Sequence, residues 1–341
     1  MTRRDALSLL VRIALSVGLL VLLIRVTPDF ELHELLPDWD RGTPWWLAGA
    51  FALTLCALLL SVVRWYEVGL VIGLKAGFRR YLSHYLAGQF LSNFVPTTVG
   101  GDVVRVRRLS KDTGDPPLSF ASVVIERLSG WVVLPAISLV GFAMNPGLRE
   151  QGASTRVALI IAGLTLLGLL LLIIVAGNDT IGRLLGSRTG WVEWLNSVHL
   201  GLDSLRSNPR QIWRVLGAGF AYQIVLLLAA ACAARAMGIE QVGPTALMAF
   251  LPAVLIVQVL PLGIGGLGVR EGAFVLFFGP LGVLDERSVA LGFLIYLLTL
   301  TTSIFGLPAL IFGGRSNEDT IEVPAVRVGP DGVSSDGLSA G

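Results

Sequence analysis

The chain has 341 residues, of which 54% are hydrophobic and only 15% charged, with a mean hydropathy of +0.74. Soluble globular proteins carry about a quarter charged residues, so the composition excludes a soluble enzyme domain and predicts an all-α polytopic membrane protein. The formal net charge of +2 says little as a total, because the placement of Lys and Arg is what orients a membrane chain.

Residues 6–27 form the first apolar segment, preceded by Arg3 and Arg4. Arg12 in its core and the lack of a small-residue cleavage pattern before Pro28 favour an uncleaved span over a signal peptide. An acidic loop follows, and Trp45 and Trp46 then open a second span at 45–63, which Arg64-Trp65-Tyr66 closes at the opposite interface. Lys75, Arg79 and Arg80 mark that side as cytoplasmic. The next apolar run, Tyr81 to Val95, is too short for the roughly 20 residues of a spanning helix. Beyond it lie Arg105, Arg107, Arg108 and Lys111, so both flanks are basic and residues 81–108 are expected to form a re-entrant hairpin broken at Pro96. A span at 118–142 completes the first repeat, residues 1–142.

The second repeat, residues 143–313, begins with a span at 157–176. An Arg-bearing loop follows, in which Trp191, Trp194, Leu195, Val198, Leu202 and Leu205 recur at helical spacing. They predict an amphipathic helix at 190–206, lying on the membrane surface or packed on the bundle. Then come a span at 213–237, a second hairpin at 245–282 broken at Pro261, and a span at 289–312. Residues 314–341 are polar and rich in Gly, Ser and Asp, which predicts a disordered cytoplasmic tail.

The two hairpins share one frame. Pro96, three residues, Gly100-Gly101, three residues, Arg105 recurs 165 positions later as Pro261, Gly265-Gly266 and Arg270. Each half reads span, span, hairpin, span, and basic flanks place the halves in opposite orientations. The expectation is about six transmembrane helices plus two re-entrant hairpins in an inverted-topology repeat, with both termini cytoplasmic. In that organisation broken segments at corresponding positions mark a substrate site near the bilayer midplane, so transport is expected rather than enzymatic chemistry.

The site residues follow from this geometry. A helix N-terminus at membrane depth offers unpaired N–H groups to an anion; Gly100, Gly101, Gly265 and Gly266 would provide such ends, Asp102 could cap the first, and Arg105 and Arg270 lie one turn on. The glycines would serve close helix packing equally well, and the arginines could instead reach the interface. Glu126 and Arg127 are charges inside an apolar span and must be paired or face water. Candidate partners are Arg105 or Arg270 for Glu126, and Asp102 or Glu271 for Arg127. The pair, with Glu271, would gate or couple transport, or simply brace the hairpins. Asn93, Gln89 and Gln258 could line the same cavity. His33, His84 and His199 are scattered, and Cys56 and Cys232 fall in apolar segments. No HExxH, CxxC, GxSxG or P-loop pattern occurs, so no catalytic residue, metal site, cofactor or nucleic-acid partner is expected.

These motifs also carry a resemblance. Ser92-Asn93-Phe94-Val95-Pro96 running into Gly100-Gly101-Asp102 and Arg105, Glu126-Arg127 in the next span, and Leu260-Pro261 through Gly265-Gly266-Leu267-Gly268-Val269-Arg270-Glu271-Gly272 resemble the lysylphosphatidylglycerol synthase transmembrane-region, or flippase-like, family over roughly residues 5–314. The resemblance implies a cell-membrane protein that moves a lipid between leaflets. The soluble aminoacyl-transferase domain of the multiple peptide resistance factor has no counterpart here, so its enzymatic activity is not expected to carry over. The expected function is therefore a flippase for an anionic or phosphate-bearing lipid. A membrane-embedded lipid-modifying transferase and an accessory subunit of a lipid synthase or glycosyltransferase are the alternatives.

Overall fold

The computed structural model describes residues 18, 35–37, 39–94, 100–176, 209–259 and 266–313. Apart from residue 18, the expected first span lies outside the described residues, as do the amphipathic helix at 190–206, the tail at 314–341, and Pro96, Pro261 and Gly265 of the two turns. The described residues form ten α-helices and no strand. In chain order they are α1 (Thr43–Val71), α2 (Phe78–Phe94), α3 (Gly100–Thr113), α4 (Pro116–Met144), α5 (Ala153–Ala176), α6 (Pro209–Ala236), α7 (Pro244–Val257), α8 (Val269–Phe278), α9 (Asp285–Ser303) and α10 (Gly306–Phe312).

Among the described residues, five stretches are long and apolar enough to cross a membrane: Thr43–Val71, Pro116–Met144, Ala153–Val175, Ile212–Ala236 and Asp285–Phe312. They match the five expected spans that fall on described residues. Local chemistry sets their starts. Asp40 Oδ1 accepts hydrogen bonds from the backbone N–H groups of Gly42 and Thr43, both at 2.7 Å, just ahead of α1. At the start of α4, Asp115 Oδ1 caps the Leu118 N–H at 2.9 Å, and Pro116 occupies a first-turn position whose own N–H would be orphaned in any case. Large apolar side chains stay exposed along these helices, among them Ile160, Leu164, Leu167 and Leu171 of α5. Such a surface suits hydrocarbon rather than water.

The two segments expected to be broken each yield a pair of short helices. α2 and α3 have 17 and 14 residues, and α7 and α8 have 14 and 10; all fall short of the roughly 20 needed to span.

Helix packing is reciprocal between the halves. If α1 to α4 correspond in order to α6, α7, α8 and the α9–α10 pair, nearly every contact in one half has its image in the other. α1 packs most extensively on its counterpart α6, α4 lies on α7 as α9 and α10 lie on α2, and α4 touches α6 as α9 touches α1. The last span of each half therefore packs on the helix that precedes the proline-glycine frame of the other half. Glycine permits both crossings. A Cβ at Gly141 of α4 would come within 2.5 Å of Ala249 N in α7, and one at Gly306 of α10 within 2.0 Å of the Leu86 carbonyl oxygen in α2. Arg108 ties the same joint by donating to the carbonyls of Ala309 and Leu310 at 2.8 Å each, satisfying groups at the α10 C-terminus.

Two details differ from the sequence expectation. The second span does not close at Arg64-Trp65-Tyr66: α1 continues to Val71, with Arg64 only 7% and Trp65 0% exposed. Of the two aromatics that read as an interfacial belt, Trp65 is core, edge-on to Tyr81 at 4.7 Å between centroids, and Tyr66 is half-buried against the same cluster. The last span divides between Ser303 and Gly306. Just before the break, Thr299, Thr301, Thr302 and Ser303 return their hydroxyls to carbonyls one turn back at 2.7–2.9 Å, a pattern that bends helices.

Candidate functional site

Glu126 faces inward from α4, 2% exposed, and accepts from two guanidinium groups. Arg64 Nη2 on α1 donates to Oε1, and Arg105 Nη2 on α3 donates to Oε2 at 3.1 Å. Arg105 Nη1 also faces Asp102 Oδ1 at 3.4 Å, and Arg127 Nε donates to Asp102 Oδ2 at 2.6 Å. The chain Arg64, Glu126, Arg105, Asp102, Arg127 sets three cations against two carboxylates. One formal positive charge is in excess.

Aromatic rings hold the cations from the other side. Arg105 Cζ lies 4.2 Å from the Trp65 ring centroid and 4.5 Å from that of Tyr85, and Arg64 Cζ lies 5.0 Å from that of Tyr222. Such stacking stabilises a desolvated guanidinium by about 2 kcal/mol. Tyr85 is itself fixed by donating to Ser61 Oγ at 2.7 Å.

These groups border a cavity of about 230 Å³. Its wall takes Ser61 and Arg64 from α1, Tyr85 and Gln89 from α2, Asp102 and Arg105 from α3, Glu126 and Arg127 from α4, and Tyr222 and Gln223 from α6. Leu255 of α7, with Gln258 and Val259 just beyond it, completes the wall. The cavity thus lies where the C-terminal ends of α2 and α7 meet. Three donors on residues that line it have no hydrogen-bond partner among the described residues: Arg64 Nε, Arg105 Nε and Gln223 Nε2. Their side chains belong to residues only 7%, 5% and 3% exposed. A buried, unpaired donor costs about 1–3 kcal/mol, and all three belong to residues that line the cavity.

Several expected residues meet here: Arg105, Asp102, Glu126 and Arg127 join one network, and Gln89 and Gln258 line its cavity. Glu126 pairs with Arg105, not Arg270, and Arg127 pairs with Asp102. Asp102 lies inside the first turn of α3 instead of capping it, and its carboxylate turns to the two arginines. Gly101 is a packing residue: a Cβ there would meet Ser92 Oγ at 2.0 Å and the Gly88 carbonyl oxygen at 2.2 Å. Gly100 opens α3 beside it. Asn93 donates to Ser303 Oγ at 2.6 Å and to the Gln89 carbonyl at 3.1 Å, linking α2 to α9 outside the cavity lining.

The second copy of the frame is chemically different. Arg270 pairs with its neighbour Glu271, whose Oε2 reaches back to the Gly268 N–H at 2.6 Å. Arg270 Cζ lies 4.8 Å from the Tyr296 ring centroid. Both charges are buried, at 3% and 0% exposure, and formally neutralise each other. Gly266 holds φ at +76°, a backbone state that favours glycine. Neither Arg270 nor Glu271 lines the cavity.

Sequence reasoning missed Arg64, Tyr222 and Gln223. Gln223 was visible as a polar residue within an apolar span, whereas Arg64 looked interfacial because two aromatics follow it.

The helices and their buried charged centre define an all-helical, multi-pass membrane protein. The chain belongs to the lysylphosphatidylglycerol synthase TM region family, whose model matches residues 9–306. No curated protein matches it.

Proposed function

We propose that the protein carries an anionic, phosphate-bearing lipid between the leaflets of the cell membrane, with its headgroup held at the Arg64–Arg105–Gln223 wall. The observation that carries this reading is the set of three buried, unpartnered donors beside a network with one surplus positive charge. Guanidinium groups match phosphate oxygens in planar, paired geometry. A surplus cation inside a membrane span is costly unless it pairs with something or faces water, and a phosphate supplies both the charge and the acceptors.

The position of the cavity also supports transport. It lies at the junction of α2 and α7, the helices that precede the two proline-glycine frames, and the halves that carry them pack reciprocally, as alternating access between two repeats would need. Glu126 holds both binding arginines, so a headgroup that draws Arg64 or Arg105 away from it loosens the joint between α1, α3 and α4. The Asp102–Arg127 pair at the edge is the more exposed link, with Arg127 45% exposed in its side chain. In this reading both termini are cytoplasmic, and the protein acts as a transporter without catalytic residue or cofactor.

The test is leaflet movement of fluorescent phospholipids and polyprenyl-phosphate lipids in proteoliposomes of the purified protein. Wild type is expected to move at least one anionic class, and Arg64→Ala and Arg105→Ala to stop it. Folded wild-type protein that moves no lipid class would overturn the transporter reading and favour an accessory role beside a lipid synthase or glycosyltransferase.

A further inference from the structure

A second, larger cavity of about 680 Å³ runs between α3 and α4. The geometry points to a loading site here for one anionic phospholipid, with its phosphate at Arg107 and Lys111 and a hydrocarbon chain in the groove beyond them. The inference rests on the reading of the smaller cavity as a headgroup site.

The register of α3 builds the groove. Asp102, Val103, Val106, Arg107, Ser110 and Lys111 all line it, at the three- and four-residue spacing that puts side chains on one helical face. Charge and apolarity are segregated along that face. Val103 and Val106, with Phe120, Val123 and Val124 of α4, form an apolar middle, and Arg107 and Lys111 stand towards the C-terminal end of α3. That end is followed directly by the start of α4, on the side that the basic flanks mark as cytoplasmic. Neither Arg107 nor Lys111 forms an ion pair among the described residues, although Arg105 and Arg108 on the same helix are both engaged. Two free cations at the mouth of an apolar groove match a lipid phosphate and its chain.

At its other end the groove reaches the headgroup cavity. Asp102 and Arg127 line both spaces, so their ion pair is the partition between them. A lipid docked at Arg107 and Lys111 would have its chain beside that partition, and its headgroup would have to pass it to reach Arg64 and Arg105. The groove selects an anionic lipid before the partition opens.

Binding to the purified full-length chain tests this. Dioleoylphosphatidylglycerol and dioleoylphosphatidylcholine are compared by native mass spectrometry in detergent, and glycerol 3-phosphate is titrated by calorimetry. Val103→Trp fills the groove from a position already 56% exposed, and Arg107→Gln with Lys111→Gln removes the charged mouth. Wild type should retain phosphatidylglycerol over phosphatidylcholine. The double Gln variant should lose about fivefold in phosphatidylglycerol binding per cation removed, and Val103→Trp should weaken it at least as much. Glycerol 3-phosphate binding should stay unchanged in both. Equal binding of the two lipids, or phosphatidylglycerol binding untouched in the double Gln variant, would overturn the loading site. If the groove variants lose lipid while wild type fails to bind glycerol 3-phosphate, the loading site stands and the headgroup reading of the inner cavity falls.

Discussion

Arg64 and Glu126, 62 residues apart on α1 and α4, form a buried ion pair at the centre of the bundle. Arg105 closes on the other oxygen of the same carboxylate. One anion therefore holds two cations from two other helices, which makes Glu126 the residue whose removal has the widest effect.

Glu126→Gln leaves Arg64 and Arg105 buried without their shared counter-charge. Breaking a buried pair from one side costs about 3–5 kcal/mol, so thermal unfolding in detergent should fall sharply. The double variant Arg64→Gln/Glu126→Gln should lose less than the two single losses added, with a coupling of about 1 kcal/mol or more. Strict additivity in that cycle would mean the pair does not form.

Gly101→Ala should destabilise the first broken segment, because its new methyl would press on the Gly88 carbonyl, a backbone atom that cannot swing aside. A cost of about 1–3 kcal/mol or more is expected. Gly217→Ala is the control. Nothing lies within 4 Å of its Cβ, and replacing glycine inside α6 should be neutral or stabilising by up to about 1 kcal/mol. The melting temperature should fall in Gly101→Ala and hold or rise in Gly217→Ala.

Arg105 and Arg270 occupy the same place in the repeated frame and should respond differently. Arg105→Gln removes a cation at the cavity wall and should weaken glycerol 3-phosphate binding at least about tenfold, the worth of one charge-assisted hydrogen bond. Arg270→Gln strands the buried Glu271 and should lower stability while leaving that binding intact. Calorimetric titration alongside thermal unfolding separates the two outcomes. Equal loss of binding in both variants would mean that the two copies act as one site.

Asp40, at the exposed start of α1, accepts from the Thr43 hydroxyl at 2.8 Å and from the N–H groups of Thr43 and Gly42. The Thr43 hydroxyl first, then those backbone groups, hold its carboxyl below the usual carboxylate range. A lowered folded-state pKa contributes stability that is present above the unfolded value and lost as pH falls through the folded one. Wild type should therefore exceed Asp40→Ala at neutral pH, and the gap should close as pH drops below the ordinary carboxylate range. A melting-temperature difference that does not change with pH would remove the carboxylate from the explanation.

Much of the fold was legible. The five described spans stand where long apolar runs stand, because a helix that crosses hydrocarbon must be apolar over about 20 residues. α2 is described to Phe94 and α7 to Val257, close to the repeated proline and glycine frame. The acid and base inventory was legible too, since Glu126 and Arg127 are conspicuous within an apolar segment. Their partners Arg105 and Asp102 were among the named candidates, because few charges share that depth.

Hydrophobicity is a local property, and the sequence by itself determined the described spans and the conspicuous charges Glu126 and Arg127 within one of them. Tertiary structure alone decided which charges meet. Whether Arg64 ends a span or sits within it depends on how far α1 continues and which way it is rotated against α4, and both are set by packing on α6 and α2. The same holds for the repeated frame. Its two arginines share a sequence position, but Glu271 lies next to Arg270 in the chain, whereas Arg105 has Asp102 one turn away and finds Glu126 across a helix interface. Shared spacing did not place the two alike: Arg105 lies in the second turn of α3 and Arg270 in the first turn of α8, so a chain neighbour neutralises Arg270 while Arg105 meets Glu126 from another helix beside the cavity.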